Sequence, residues 1–266
     1  MRTTKRSRSP RRGGSGRGIG LPPGAGRSEP WPYTSTPSSA DHPQRLDDLD
    51  GVGDPPSRLR TVHTKELSAV VSDAPEELRL KRRDLGAHQA VQERLMADGT
   101  VLPLQFGFTT TDDNAVRAVL EDRTEEFTER LRTLEGCVEY HLKAAQDENA
   151  LLRQILQESD EARGLNDEIR SGNGSPELPL ALGELVSQDV QARQDQLAAG
   201  VLDALRRFAR EERSSQATGN DFLSVSFLVE RDNEKSFLSA EQDLAKELGE
   251  DFSLRLHGPL PAYSFV

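Results

Sequence analysis

The stretch Gly136-Cys137-Val138-Glu139-Tyr140-His141-Leu142 decides the fold. Val138, Tyr140 and Leu142 alternate with Cys137, Glu139 and His141, which is the period-2 pattern of a half-buried strand. Downstream, Leu151, Leu152, Ile155 and Leu156 mark a short amphipathic helix. The break at Gly172-Asn173-Gly174-Ser175-Pro176 precedes a long helix expected from Leu180 to Glu212, with Leu182, Val186, Val190, Leu197, Val201, Leu205 and Phe208 along one side. Ser214 to Asn220 reads as a loop and Phe222 to Val229 as a strand. Phe237, Leu238, Leu244 and Leu248 lie on a helix ended by Gly249, and Phe252, Leu254 and Leu256 alternate as a last strand. The order strand, helices, strand, helix, strand predicts an α+β layer arrangement, an antiparallel sheet covered by helices and ferredoxin-like in topology.

Upstream of Gly136 the periodicities predict a second, smaller sheet. Thr61 to His63 and Leu67 to Val71 read as two short strands around Thr64 to Glu66. From Leu78 to Met96, Leu85, His88, Val91 and Leu95 recur at helical spacing. Thr100 to Phe106 is an apolar run of strand length, and Pro103 makes it an edge or irregular strand. Asp112-Asp113 opens one long helix, where acids suit the positive end of the dipole; Val116, Leu120, Phe127, Leu131 and Leu134 form its buried stripe.

Residues 1–57 are rich in Arg, Gly, Ser and Pro and read as a disordered tail. The expected organisation is therefore a tail over 1–57, an α+β domain over 58–135, a ferredoxin-like domain over 136–257 and an apolar C-terminal tail over 258–266. Eight of the 34 Lys and Arg side chains fall within residues 1–27, where there is no acid. The remainder carries 26 basic against 45 acidic side chains, a net of −19 against −11 for the whole chain of 266 residues. Such a body repels nucleic acid and anionic membrane, so any nucleic-acid binding rests on the basic tail, where Ser7 and Ser9 offer phosphorylation sites. The single cysteine, Cys137, excludes an intramolecular disulfide and fits a reducing compartment. No run reaches the length of a membrane span, and the basic start lacks a signal-peptide core. The expected location is the cytoplasm.

No catalytic constellation, metal-ligand set or cofactor motif stands out, and none is expected. Gly14-Ser15-Gly16-Arg17-Gly18 follows no strand and opens no helix, so it reads as a linker rather than a phosphate loop. Cys137 and His141 share a strand face but stand ~13 Å apart at the ordinary rise, too far for direct pairing. His88 on its apolar helix face reads as a hydrogen-bonded core or boundary residue rather than a ligand or acid–base group. Glu76-Glu77, Glu125-Glu126 and Glu211-Glu212 read as solvated surface pairs. The terminus Gly258-Pro259-Leu260-Pro261-Ala262-Tyr263-Ser264-Phe265-Val266 is unusually apolar. It reads as a strip that covers a groove in its own body or is offered to a partner, with Leu260, Pro261, Tyr263 and Phe265 as the candidate contacts; in an extended tail Tyr263 and Phe265 point to one side.

Several strings together resemble the gas vesicle protein L/F family. They are Leu67 to Ser72, His88 to Val91 with Glu93 to Met96, Thr100 to Gly107, Gly136 to Tyr140, Phe222 to Val229, and Leu254 to Leu256 running on to Val266. In this order they cover about residues 50 to 266. The resemblance implies a two-domain α+β protein, ferredoxin-like in its C-terminal half, that takes part in building gas-filled protein shells and is not known as an enzyme. It further implies a non-enzymatic assembly or minor structural role at the gas vesicle. Its partners would be other vesicle proteins, including the small shell protein, with no nucleic acid and no membrane; self-association is left open. The competing class is a nucleic-acid or phospho-regulated binder acting through the tail. One departure matters: the family usually opens with a short aromatic-rich strand, and here Pro30-Trp31-Pro32-Tyr33 is the only aromatic stretch, with prolines that make a poor strand. Without it the first sheet would keep an open edge.

Overall fold

The computed structural model describes residues 31–75, 81–172 and 175–266. The N-terminal half is built on strands β1 (Trp31–Ser39), β2 (Arg60–His63) and β3 (Leu67–Ala74), antiparallel in the order β1-β3-β2. The central strand is covered on both faces, because its alternate residues serve two different cores. Leu67, Ala69 and Val71 face a core with Leu102, Val116, Leu120 and Leu131. Val70 on the opposite face meets Val91, Leu95 and Val101. Helix α1 (Arg82–Asp98) supplies that second face, and α2 (Asp113–Asp122) with α3 (Thr124–Leu134) supplies the first.

The C-terminal half runs β4 (Cys137–Gln146), α4 (Glu148–Glu158), α5 (Asp160–Ser171), α6 (Leu178–Leu205), β5 (Glu211–Ser214), β6 (Asp221–Glu230), α7 (Glu234–Leu248) and β7 (Phe252–Leu260). Its sheet is antiparallel in the order β5-β6-β4-β7, the ferredoxin-like arrangement with the α4–α5 hairpin inserted after the first strand. Val138, Tyr140, Leu142 and Ala144 join Leu223, Val225, Phe227 and Val229 under Val201, Leu205 and Phe237. The alternation around Gly136 therefore has the predicted cause, with the even positions of β4 buried under helices. The first part of α6 leaves that core: Leu182, Leu185, Val186 and Val190 pack instead with Leu151, Ile155 and Ala162 of the hairpin. Asp112, Asp147 and Ser159 cap α2, α4 and α5 by accepting backbone N–H bonds from Ala115, Ala150 and Ala162.

Several expectations are corrected. Order reaches well upstream of residue 58: Trp31–Ser39 pairs along the whole of β3, with a bulge between Thr34 and Thr36 that accommodates an irregular sequence. Proline suits an edge strand, whose outward side needs no donor, and β1 is an edge. The following loop also packs. Leu46 and Leu49 join the α1 core, and the His42 ring bridges the Pro43 and Leu95 carbonyls. Gly51 lies so close to β3 that an added Cβ would come 2.4 Å from the Ser72 Cβ. Only residues 1–30 of the expected tail, including the Gly14–Gly18 motif, Ser7 and Ser9, lie outside the described residues, as do Glu76-Glu77.

The single helix expected from Asp112 is two, divided at Arg123, while its buried stripe is as predicted. Leu85 of the α1 stripe is exposed, and the buried polar neighbour Asp84 takes its place by accepting the Gly53 N–H at 3.0 Å. Thr100 to Phe106 forms no strand of its own: its backbone meets the sheet through the Ser38–Val101 bridge and the Leu102 N–H to Pro37 bond, while Leu102 and Val101 pack on the two faces of β3, and Pro103 forbids a full ladder. The long helix stops at Leu205, and Glu211–Ser214, expected within the helix and the loop, is the edge strand β5. Charged and short, that strand carries no apolar alternation to betray it. Gly258 to Leu260 belongs to β7 rather than to the tail.

Candidate functional site

The C-terminal residues lie across the sheet face opposite the helices, where the two halves meet. The last pair of β7 sets Leu260 opposite Glu139, after an irregularity in register at Gly258. A Cβ on Gly258 would stand 2.5 Å from the Tyr140 ring, and its φ is +156°, so only glycine admits this approach. Pro261 and Ala262 are then buried, and a short turn over Tyr263–Phe265 drives Phe265 into the core of the N-terminal half beside Leu228. That core is thus shared by both halves.

A buried carboxylate holds the turn. Glu139 Oε2 accepts the Ser264 N–H at 2.8 Å, and Oε1 accepts the hydroxyls of Ser264 at 2.6 Å and Ser226 at 2.7 Å. Arg213 donates to the Ser264 carbonyl at 2.8 Å and its guanidinium lies 5.3 Å from the centre of the Phe265 ring. His141 stands within 3.0 Å of the Ser226 hydroxyl and is likewise absorbed in this network, its pKa lowered by burial. Replacing Glu139 with alanine would leave the Ser264 N–H without its acceptor and take one acceptor from each of the Ser264 and Ser226 hydroxyls, and should lower stability by roughly 2 kcal/mol. A urea midpoint unchanged for Glu139→Ala would show that the tail is not held here.

Of the candidate contacts, Phe265 is 1% exposed and Tyr263 37%. The turn, rather than an extended tail, sends these two rings to different sides, which corrects the expectation that they share one. The Tyr263 hydroxyl stands 3.4 Å from His88 Nε2, and burial raises its pKa to about 12. His88, buried on its helix as expected, bonds the Leu104 carbonyl at 3.0 Å, and burial lowers its pKa. Cys137 donates only to the Glu135 carbonyl, apart from His141, with its thiol pKa raised by burial. Among the described residues no group of His, Cys, Asp or Glu converges on a metal site, and no helix is long and apolar enough to cross a membrane.

Beside Val266 opens an apolar groove of about 360 Å³, lined by Pro37, Leu104, Phe108, Val116, Val119, Leu120 and Phe127, with Arg123, Glu126 and Arg130 at its rim. Phe108, Val119 and Val266 are 44%, 37% and 43% exposed, a concentration of large apolar side chains that water solvates poorly. Arg123 stacks on Phe127 and pairs with Glu126, and the buried Thr110 adds one hydroxyl to an otherwise largely apolar lining. This surface can bind an apolar group. Phe108 and Val119 carried no sequence signal, since Phe108 lies in a loop and Val119 on the outer side of a helix. The role of Glu139 was hidden too, because its position reads as the solvated face of a strand; the apolar Leu228 in the otherwise Ser-bearing outer face of β6 was the available sign that this face is covered.

The family model "Gas vesicle synthesis protein GvpL/GvpF" matches residues 31–266. Gas vesicle protein F of Streptomyces sp. (strain CB03234) is 44% identical over 226 residues, covering 85% of this chain and 94% of that one. Gas vesicle protein L of the same strain is 28% identical over 233 residues, covering 80% and 84%. The crystal structure of GvpF from Anabaena sp. PCC7120 is similar in fold with a TM-score of 0.79 at 21% identity, covering 89% of this chain and 98% of that one. That of GvpF from Microcystis aeruginosa scores 0.75, also at 21% identity, with 89% and 99% covered.

Proposed function

Since the chain belongs to the gas vesicle GvpL/GvpF family, we propose that it acts in gas vesicle formation as a non-enzymatic assembly or minor structural protein, through an apolar contact surface formed where its C-terminus meets α2 and α3. The partners on this reading are other vesicle proteins, including the small shell protein, at the vesicle in the cytoplasm. The observation that carries it is the clustering of Phe108, Val119 and Val266 around one open apolar groove. Tyr263 lies on the exposed side of the tail, whereas Phe265 anchors it from beneath. Leu260 and Pro261 set the entry of the tail. A net charge of −19 beyond residue 27 keeps the body away from nucleic acid and anionic membrane.

The test is complementation in a host lacking the gene. Because Phe108 and Val119 are exposed, Phe108→Glu with Val119→Glu should leave the melting temperature nearly unchanged, surface substitutions costing about 0.5 kcal/mol or less each. Cells carrying the double variant are expected to lose buoyancy and pressure-sensitive light scattering. Normal vesicles with this variant would overturn the role of the groove, and normal vesicles without the gene would overturn the function.

A further inference from the structure

The outer face of the C-terminal sheet carries a charge pattern that the apolar groove does not use. Across the β4–β7 pair, Lys143 stands directly opposite Arg255 and His141 opposite His257. Like charges directly opposite one another weaken a sheet, and Lys143 faces Arg255 in this way. Arg255 pairs with Asp221, whose side chain is only 8% exposed while that of Arg255 is 47% exposed, and Lys143 makes no ion pair among the described residues. The C-terminal tail crosses this face at Glu139 and Ser226, and leaves the Lys143–Arg255 level beyond its end. The strand bearing Arg255 and His257 is also an edge. In the order β5-β6-β4-β7, β7 pairs with β4 alone, and no proline interrupts Ser253 to His257.

The geometry points to a docking site for an extended segment of a partner protein with acidic side chains at alternate positions, added as a fifth strand along β7. The free edge selects an extended backbone, and the pleat then places every second side chain of that segment on the face of Lys143, Arg255 and His257. Three alternatives fit less well. A second copy of β7 would bring the same cations against each other. Nucleic acid would find no stacking platform, since the outward residues of β4 and β7 here include no Phe, Tyr or Trp. An apolar strand would leave Lys143 unanswered. This site is separate from the groove, so its failure and that of the vesicle reading are independent.

The test is fluorescence anisotropy on the full chain, with a labelled peptide of alternating Glu and Val about eight residues long as probe. Binding is expected to fall with added salt and to weaken about tenfold for Lys143→Glu with His257→Glu. It should weaken about as much when alternate amides of the peptide are N-methylated, since that removes the edge hydrogen bonds without touching the protein. The milder Lys143→Ala with His257→Ala, checked by its melting curve, should weaken it about threefold. Equal binding of a Lys/Val peptide or of the methylated peptide, indifference to both double variants, preference for oligouridine, or no binding of the Glu/Val peptide would each overturn the proposal.

Discussion

Replacing Phe265 with alanine is expected to lower the free energy of unfolding by about 3–5 kcal/mol, although it is the penultimate residue of the chain. The ring is 1% exposed and belongs to a core with Leu67, Leu102, Phe127, Leu131 and Leu228, so both halves lose packing together. Terminal residues ordinarily fray at little cost. Here fraying is opposed by the Glu139 bonds to Ser264 and by Arg213, which keep the backbone in place and so leave the cavity open rather than collapsed. The cost is bounded above by the free energy of detaching residues 261–266, because a variant that cannot fill the cavity can release the tail. Tyr263→Ala, by contrast, removes a ring 37% exposed, and should cost about 1 kcal/mol or less. Urea unfolding followed by circular dichroism checks both. A Phe265→Ala penalty below about 1 kcal/mol would show that the terminus is free in solution.

Leu205→Ala should cost about 2–5 kcal/mol for a different reason. Leu205 is fully buried at the end of α6, packed with Val201 and Phe237 over the β4–β6 centre of the sheet. The cavity would be walled by sheet on one side and helix on the other, which limits relaxation. Val186 and Val190, which lie on the same stripe in sequence, are only half-buried and pack on α4 and α5. Alanine there is expected to loosen the hairpin locally, seen as faster amide exchange in α5, with a much smaller change in the global midpoint. A Leu205→Ala midpoint equal to that of the unaltered chain would mean that this end of α6 is not the lid of the sheet.

The elements with strong periodicity were legible. Val138, Tyr140 and Leu142 marked β4 because its two faces have different surroundings, and Phe222 to Val229 marked β6 because Leu223, Val225, Phe227 and Val229 fill the core under the helices while Ser224 and Ser226 lie on the other face. The family resemblance carried by Thr100 to Gly107 and Gly136 to Tyr140 agreed with the match over residues 31–266. Strands β1 and β5 were not legible. An edge strand pairs on one side only, so it tolerates the prolines of Trp31–Ser39 and the charges of Glu211–Ser214, and neither leaves a pattern.

The candidate site divides in the same way. The composition of the last nine residues alone determined that the C-terminus packs against something, because two prolines, two rings and a terminal valine make a poor solvated tail. Which ring anchors and which faces outward depended on the turn at Ser264, and that turn is set by Glu139, 125 residues earlier. The groove is likewise a product of assembly, since Phe108, Val119 and Val266 come from a loop, a helix and the terminus. Sequence alone determined the α+β class, the ferredoxin-like half, the acidic body and the family, since each rests on periodicity, composition or local strings. Only the tertiary structure decided that strand pairing extends upstream of residue 58 to Trp31, which face the tail covers and where apolar surface stays open, because those depend on contacts between segments far apart in the chain that no local pattern encodes.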